Sequence, residues 1–182
     1  MKLQAILFLL LGCLTGPCLR AGEDTTTFRV IGFSHPEREA DFRQVMSSLP
    51  ELALVKLDIE KAEVTLRYDI AKLFPKSSPG QPVPPEKVLE ELDKRIGNAS
   101  TRTFSLTLQT VSAAALTKVE IPVGLLDCKG CRYGVYLAVA KIEGVDRVSI
   151  SGDGILTAWI EASKTNREAL IDALKKARIE LP

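Results

Sequence analysis

The stretch from Leu125 to Val145 constrains the fold more than any other part of this 182-residue chain. It contains two cysteines, Cys128 and Cys131, followed by an apolar run with helical spacing. The members of that run are Cys131, Val135, Val139 and Ile142. Gly144 ends the predicted helix, and the residues after it are strand-like. The pattern predicts Cys128 in a loop and Cys131 in the first helical turn, with both sulfurs at one exposed corner.

A cysteine pair in that position has three interpretations. The free amides and the positive dipole end at a helix N-terminus favour thiolate over thiol. Two neighbouring thiolates form either a soft-metal site or a redox pair. In an oxidising compartment the same two sulfurs can instead form a static disulfide, in which case the chain would be a protein-interaction module that binds no metal. The residues alone leave all three interpretations open.

The stretch resembles the heavy-metal-associated domain, a family found in copper chaperones, mercury-binding periplasmic proteins and the tails of metal-transporting ATPases. The resemblance covers residues 117–181. It rests on Cys128, Cys131, Val135, Val139, Ile142, Gly144, Val145, Val148 and Ile150. It implies a ferredoxin-like βαββαβ fold that binds one soft cation between the thiolates of Cys128 and Cys131. Cu(I) is the expected ion, and Hg(II), Zn(II) and Cd(II) are the other candidates.

The residues before the first cysteine depart from that family. The family usually has Gly-Met-x at this point, whereas this chain has Leu125, Leu126 and Asp127. Leu126 would replace the buried methionine as an apolar plug, which is a mild change. The carboxylate of Asp127 would raise the thiol pKa slightly and could suit a divalent ion. Lys129 and Arg132 flank the sulfurs and are expected to be solvated or to offset the charge of a metal dithiolate.

The order of predicted elements occurs twice along the chain. Each copy reads strand, helix, strand, strand, helix, strand, which is the split βαβ arrangement. The predicted fold class is therefore α+β, with two tandem ferredoxin-like βαββαβ units after an N-terminal signal peptide. Residues 25–109 form the first, degenerate unit, which lacks the cysteine pair. Residues 117–181 form the heavy-metal-associated-like unit that contains it.

Alignment of the two copies pairs the cysteine loop with a loop of different chemistry. Placing Val55 on Val148 puts His35 at the position of Cys128 and Arg38 at that of Cys131. The segment from His35 to Glu37 is then either a second, harder ligand set or a degenerate loop kept for packing. Trp159 is predicted to point away from its own core, where it either covers the junction between the copies or is a lone exposed tryptophan.

The N-terminus has the pattern of an export signal. Lys2 precedes an apolar run, Leu3 to Leu14, that is too short for a good membrane span. Residues 1–21 are predicted to be removed, which places the protein in the periplasm or outside the cell. A loose lipobox ending at Cys13 gives a lipoprotein as the alternative, with membrane contact only if Cys13 is lipidated. Cleavage before Gly22 would leave Cys128 and Cys131 as the remaining cysteines.

Composition narrows the function classes further. The formal net charge is +1, with no dense basic patch, so a nucleic-acid partner is not expected. The sequence has neither a Ser-His-Asp set nor a glycine-framed nucleophile, so we do not expect an enzyme. The expected partners are a metal ion and a metal-transporting or thiol-bearing protein.

Overall fold

The computed structural model describes residues 23–76, 82–108 and 115–182. Within these ranges the chain forms a mixed α/β structure with two antiparallel sheets and five helices. This coarse architecture agrees with the predicted pair of ferredoxin-like units. The predicted signal peptide, including Cys13, lies outside the described residues. Within the described ranges, no helix has both the length and the apolarity needed to cross a membrane.

The N-terminal half, residues 23–108, is built on a four-stranded sheet. Its elements are β1 (Glu23–Ile31), α1 (Arg38–Ser47), β2 (Leu52–Asp58), β3 (Glu63–Asp69), α2 (Ile70–Leu73), α3 (Pro85–Ala99) and β4 (Ser105–Thr107). The strand order across the sheet is β2-β3-β1-β4. Helices α1 and α3 bury apolar residues, among them Phe42 and Leu92, in the same core as the sheet.

The C-terminal half, residues 115–182, is built on a three-stranded sheet. Its elements are β5 (Leu116–Pro122), α4 (Lys129–Ala140), β6 (Val145–Ile150), β7 (Ile155–Glu161) and α5 (Arg167–Lys176). The strand order is β5-β7-β6, so β7 is the central strand. This half has its own hydrophobic core, to which α4 contributes Val139 and α5 contributes Leu170 and Leu174.

Alternating strand patterns predicted the buried faces well. Val64, Leu66 and Tyr68 of β3 are all buried, and the polar residues between them are not. Leu156, Ala158 and Ile160 of β7 are buried in the same way. Burial of each large aliphatic side chain contributes about 1.5–3 kcal/mol, so these faces fix which side of each sheet is covered.

One alternating strand pattern gave a wrong face. The alternation of Val55, Leu57 and Ile59 in the sequence predicts that these residues share one buried face, but Val55 is 55% exposed. A register shift between Leu54 and Lys56 in the β2–β3 ladder is the cause. Such a bulge adds a residue to one strand, so side chains on either side of it no longer alternate in phase.

Several helix and strand ends also differ from the predictions. A closing strand was expected at Ile179 and Leu181, yet both residues pack on the C-terminal core outside any strand. The spacing of Thr165 and Glu168 predicts a capping box that begins at Thr165. In the structure Asn166 is the N-cap of α5, and its side chain accepts a hydrogen bond from the amide of Ala169. Asparagine is an equally good cap, and sequence alone does not choose between adjacent capping residues. Glycine is a common helix C-cap, so the sequence predicts that Gly97 ends its helix, whereas Gly97 lies inside α3.

The two halves contact each other through buried polar groups. The amide of Gly32 donates to the hydroxyl of Tyr136 over 2.8 Å, and the amide of Ile150 donates to the carbonyl of Ser34, also over 2.8 Å. Arg29 in β1 is 3% exposed and lies 2.9 Å from the carboxylate of Asp146 in β6. These contacts hold the sheet and the cysteine-bearing helix of the C-terminal half against the end of β1.

Trp159 lies where the sequence predicted. It is on the face of β7 opposite Leu156 and Ala158, and the guanidinium of Arg147 stacks 4.1 Å from its ring centroid. Together they line a cavity of about 520 Å³ whose opposite wall is the β2–β3 turn of the N-terminal half. Trp159 thus covers the junction between the halves.

Candidate metal centre

The two cysteines lie at the N-terminus of α4, as the sequence predicts. Cys128 is the N-cap residue with extended backbone angles, and Cys131 is in the first helical turn. The backbone amide of Cys131 donates to the Sγ of Cys128 over 2.9 Å. This contact satisfies one of the amides that a helix start leaves free. In the reduced pair the same amide would stabilise a thiolate at Cys128.

Both sulfurs are at the surface and close together. Cys128, Lys129, Gly130 and Cys131 are all exposed. The Cα atoms of the two cysteines are 5.2 Å apart, and the sulfur atoms are in disulfide contact. A spacing that permits a disulfide also permits two thiolates to converge on one ion when the pair is reduced. The arrangement is therefore compatible with the metal, redox and disulfide interpretations of the sequence.

The loop before Cys128 is fixed from two sides. Leu126 packs against the C-terminal core, as expected for the apolar plug. The Nε of Arg132 donates to the carbonyl of Leu126 over 3.0 Å, which ties the loop to the first turns of α4. Leu125, in contrast, is 75% exposed, so an apolar side chain projects into solvent three residues before the first sulfur.

The His35 loop of the N-terminal half lies next to the cysteine loop. The ammonium group of Lys129 is 3.9 Å from the carboxylate of Glu37. The positive charges of Arg132 and Lys129 are also close enough to His35 to lower its pKa. The sequence alignment had placed these two loops at equivalent positions of two copies. The structure additionally brings them together in space, which no sequence pattern indicated.

His35 is buried and is poorly placed to bind a metal. Its side chain is 2% exposed, and its Nδ1 lies 3.3 Å from the hydroxyl of Ser34. Its Nε2 makes no hydrogen bond and lies 3.5 Å from the carboxylate of Glu37. Burial is the main cause that lowers the pKa of His35 below 6.5, and the positive charge of Arg132 adds to the effect. Near neutral pH the ring is therefore uncharged, which suits a packing role.

The donor set determines which ions the site suits. Among the described residues, no group of three or more histidine, cysteine, aspartate or glutamate side chains is arranged to hold a metal ion. Two thiolates alone suit the linear coordination of Cu(I) and Hg(II). Zn(II) requires four ligands in a structural site, so it and Cd(II) would need donors from a second molecule.

Two tyrosines of the cysteine helix were not identified from the sequence as site residues. Tyr136 accepts the Gly32 amide, and the hydroxyl of Tyr133 donates to the carbonyl of Thr103 over 3.1 Å. Their rings stack with centroids 6.2 Å apart. Spacing of three residues puts both side chains on one face of α4, which was the available signal. They anchor the helix that carries Cys131 to the N-terminal half.

The chain has little similarity to known proteins. No protein-family model and no curated protein sequence matches the chain. Among solved structures, the water soluble region of P-type ATPase CopA from Bacillus subtilis is similar at 14% sequence identity. The alignment covers 88% of this chain and 91% of that chain, with a TM-score of 0.34. A similarity at this level does not establish a family or a function.

Proposed function

We propose that the reduced protein binds one soft metal ion between the Sγ atoms of Cys128 and Cys131. The observation that carries the proposal is the placement of both sulfurs, exposed and convergent, at the first turn of one helix. Cu(I) is the proposed ion because two-coordinate sulfur geometry suits it and needs no further protein ligand. Hg(II) would bind in the same way.

The proposed role is metal transfer, buffering or sensing outside the cytoplasm. An exposed two-thiolate site allows transfer by ligand exchange, since a thiolate of a partner can bind the ion before a cysteine of this chain releases it. The partner would be a metal transporter or another thiol-bearing protein. Lys129 and the apolar side chain of Leu125 flank the sulfurs and supply a surface that such a partner would contact.

The remaining elements of the proposal concern the chain as a whole. Two ferredoxin-like units, residues 25–109 and 117–181, would follow a signal peptide at 1–21. The first unit would hold the second in position through contacts such as the pair of Arg29 and Asp146. We further propose that the protein is not an enzyme and that export depends on the N-terminal signal.

A redox function is the second candidate, and the disulfide contact between the sulfurs favours it. In that case a dithiol on a partner would reduce the disulfide of Cys128 and Cys131 and would itself become a disulfide. The two functions use the same sulfurs, and they differ in whether the reduced pair retains an ion or passes electrons.

A competition experiment separates the candidates. The reduced processed protein, residues 22–182, is loaded anaerobically with Cu(I) and titrated with Cu(I) chelators of increasing affinity. One ion per chain is expected to be retained, and Cys128→Ser or Cys131→Ser is expected to abolish tight retention, because a neutral hydroxyl does not replace a thiolate. The matched control is His35→Ala, which leaves both sulfurs in place and should leave retention unchanged, because His35 is buried beside the cysteine loop.

Two results would count against metal binding. If the Cys128→Ser and Cys131→Ser variants retain Cu(I) as strongly as the parent, the ion binds elsewhere. If the parent retains no Cu(I) but rapidly exchanges its disulfide with a partner dithiol, the redox candidate is correct.

A further inference from the structure

The edge of the C-terminal sheet at β5 differs from the corresponding edge of the N-terminal sheet. In the N-terminal sheet, β1 is covered on its outer side by β4. In the C-terminal sheet, β5 pairs with β7, and the described residues supply no strand on its other side. The tail after α5, where a closing strand was expected, makes no backbone hydrogen bond to β5 among the described contacts.

The outer side of β5 has no hydrogen-bonded strand among the described residues. Thr117, Lys118, Glu120 and Pro122 are all exposed. The amide of Val123 donates to the carbonyl of Gly154 beside β7 over 2.8 Å. Because backbone direction alternates along a strand, the amides of Lys118 and Glu120 point the other way, toward the open edge. Pro122 also faces that edge, where the lack of an amide hydrogen is tolerated.

We propose that the open edge of β5 pairs with β5 of a second copy of this chain in an antiparallel register centred on Val119. In this register Lys118 of each copy lies directly opposite Glu120 of the other. The two outward-facing residues exchange backbone hydrogen bonds, and Leu116 donates to Pro122 of the other copy. About six backbone hydrogen bonds would join two three-stranded sheets into one six-stranded sheet.

Charge selects this register over its neighbours. Within one chain, the ammonium of Lys118 lies 2.6 Å from the carboxylate of Glu120, so the two side chains project from the same face of the strand. Both are more than half exposed. Antiparallel pairing permits shifts of two residues, since residues directly opposite each other must both face the shared edge. A shift in one direction places Lys118 opposite Lys118, and in the other it places Glu120 opposite Glu120, which is repulsive.

Lysine, glutamate and proline on an edge strand usually prevent indiscriminate pairing. Here Lys118 and Glu120 would disfavour pairing with most other strands, but across a two-fold axis the lysine of each copy would face the glutamate of the other. A self-complementary patch is the requirement for a closed dimer. Strand pairing alone buries little surface, so the dimer should be weak, with Kd between about 10 µM and 1 mM.

The dimer is independent of the proposed metal site. The two-fold axis passes through Val119, and the cysteine loops leave the strand at opposite ends. At about 3.3 Å per residue, the ends of β5 near the two loops are roughly 20 Å apart. One ion cannot bridge the two sites across this interface, so loss of the dimer and loss of metal binding are separate outcomes.

The test measures the mass of the processed chain, residues 22–182, over a concentration series by sedimentation or light scattering. A reductant and a soft-metal chelator are present, so neither disulfides nor metal bridges can join the copies. We expect Lys118→Glu alone and Glu120→Lys alone to weaken the dimer by about tenfold or more at low salt, because each places like charges opposite one another twice. The double variant restores opposite charges across the axis and should recover the parental Kd.

The double variant is the matched control because it keeps both the composition of the strand and the pair within one chain. Circular dichroism checks that each variant is folded. A parent that stays monomeric to about 2 mM overturns the proposal, since a dimer in the expected range would then be populated. A dimer that does not respond to the single charge reversals, or is not restored by the double variant, also overturns it, because its interface lies elsewhere.

Discussion

Tyr136→Phe tests how tightly the cysteine helix is joined to the N-terminal half. Tyr136 is 3% exposed, and its hydroxyl accepts the amide of Gly32 over 2.8 Å. Burial raises the pKa of Tyr136 to about 12, so the hydroxyl remains neutral at any pH at which the protein is handled. The substitution keeps the ring, and with it nearly all of the packing, and removes the acceptor of a buried amide.

The expected loss follows from that unsatisfied donor. A buried amide without an acceptor costs about 1–3 kcal/mol in the free energy of unfolding. For a chain of this size each kcal/mol corresponds to roughly 2–4 °C, so the melting temperature should fall by about 2–12 °C. Urea denaturation gives the free energy directly. Amide hydrogen exchange at Gly32 should also become faster, because the lost bond protects that one amide.

Tyr133→Phe is the matched control on the same helix. Tyr133 is only half-buried, and its hydroxyl donates to the carbonyl of Thr103. Loss of that donor leaves a carbonyl that water can reach, so the cost should be below about 1 kcal/mol. If Tyr136→Phe costs less than about 0.5 kcal/mol, or no more than Tyr133→Phe, the bond from Gly32 does not stabilise the junction and the reasoning is wrong.

Two further predictions follow from single residues. The pKa of His35 is lowered in the folded state, chiefly by burial, so the unfolded chain binds a proton more readily. The contribution of His35 to the free energy of unfolding should be fully present above about pH 6.5 and should fall as the pH is lowered toward the folded-state pKa. Urea midpoints at pH 7.5 and 5.0 measure this fall. The His35→Gln variant should lose most of it. Gly154 has φ of 75°, and a Cβ there would overlap the carbonyl of Gly124 in the loop leading to the cysteines. Gly154→Ala should lower the free energy of unfolding by about 2 kcal/mol or more, measured by urea denaturation. Gly152 has open space around it, so the control Gly152→Ala should change this free energy by less than about 0.5 kcal/mol. Equal effects of the two substitutions would contradict the proposed clash.

Patterns within a short segment of the sequence were sufficient to predict that Cys128 and Cys131 lie at the start of a helix. A cysteine at a helix start, with Val135 and Val139 behind it at helical spacing, fixes both the loop and the buried face of α4. The structure confirms the buried faces of β3 and β7 for the same reason, because strict alternation specifies a half-buried strand. Leu126 packs on the C-terminal core, as predicted for the apolar plug before the first cysteine. Each of these features depends on neighbours within a few residues.

Features that depend on packing between distant segments were not predictable in this way. Val55 is exposed because a bulge shifts the strand phase, and a bulge is set by the partner strand. The residues around Ile179 form no strand, although their apolar pattern allowed one. Whether a strand forms there depends on backbone hydrogen bonding to β5, which a pattern of side chains does not determine.

The surroundings of the cysteines combine features set by the local sequence with features set by packing between distant segments. The sequence by itself determined that Cys128 and Cys131 lie at a helix start, because that depends on spacing along one segment. Only the tertiary structure brought Glu37 to Lys129, buried His35, and joined Tyr136 to Gly32 across the junction. These contacts join residues that are about a hundred positions apart, and they form only when both halves are folded and packed together. The electrostatic and mechanical setting of the sulfurs is therefore a property of the assembled fold.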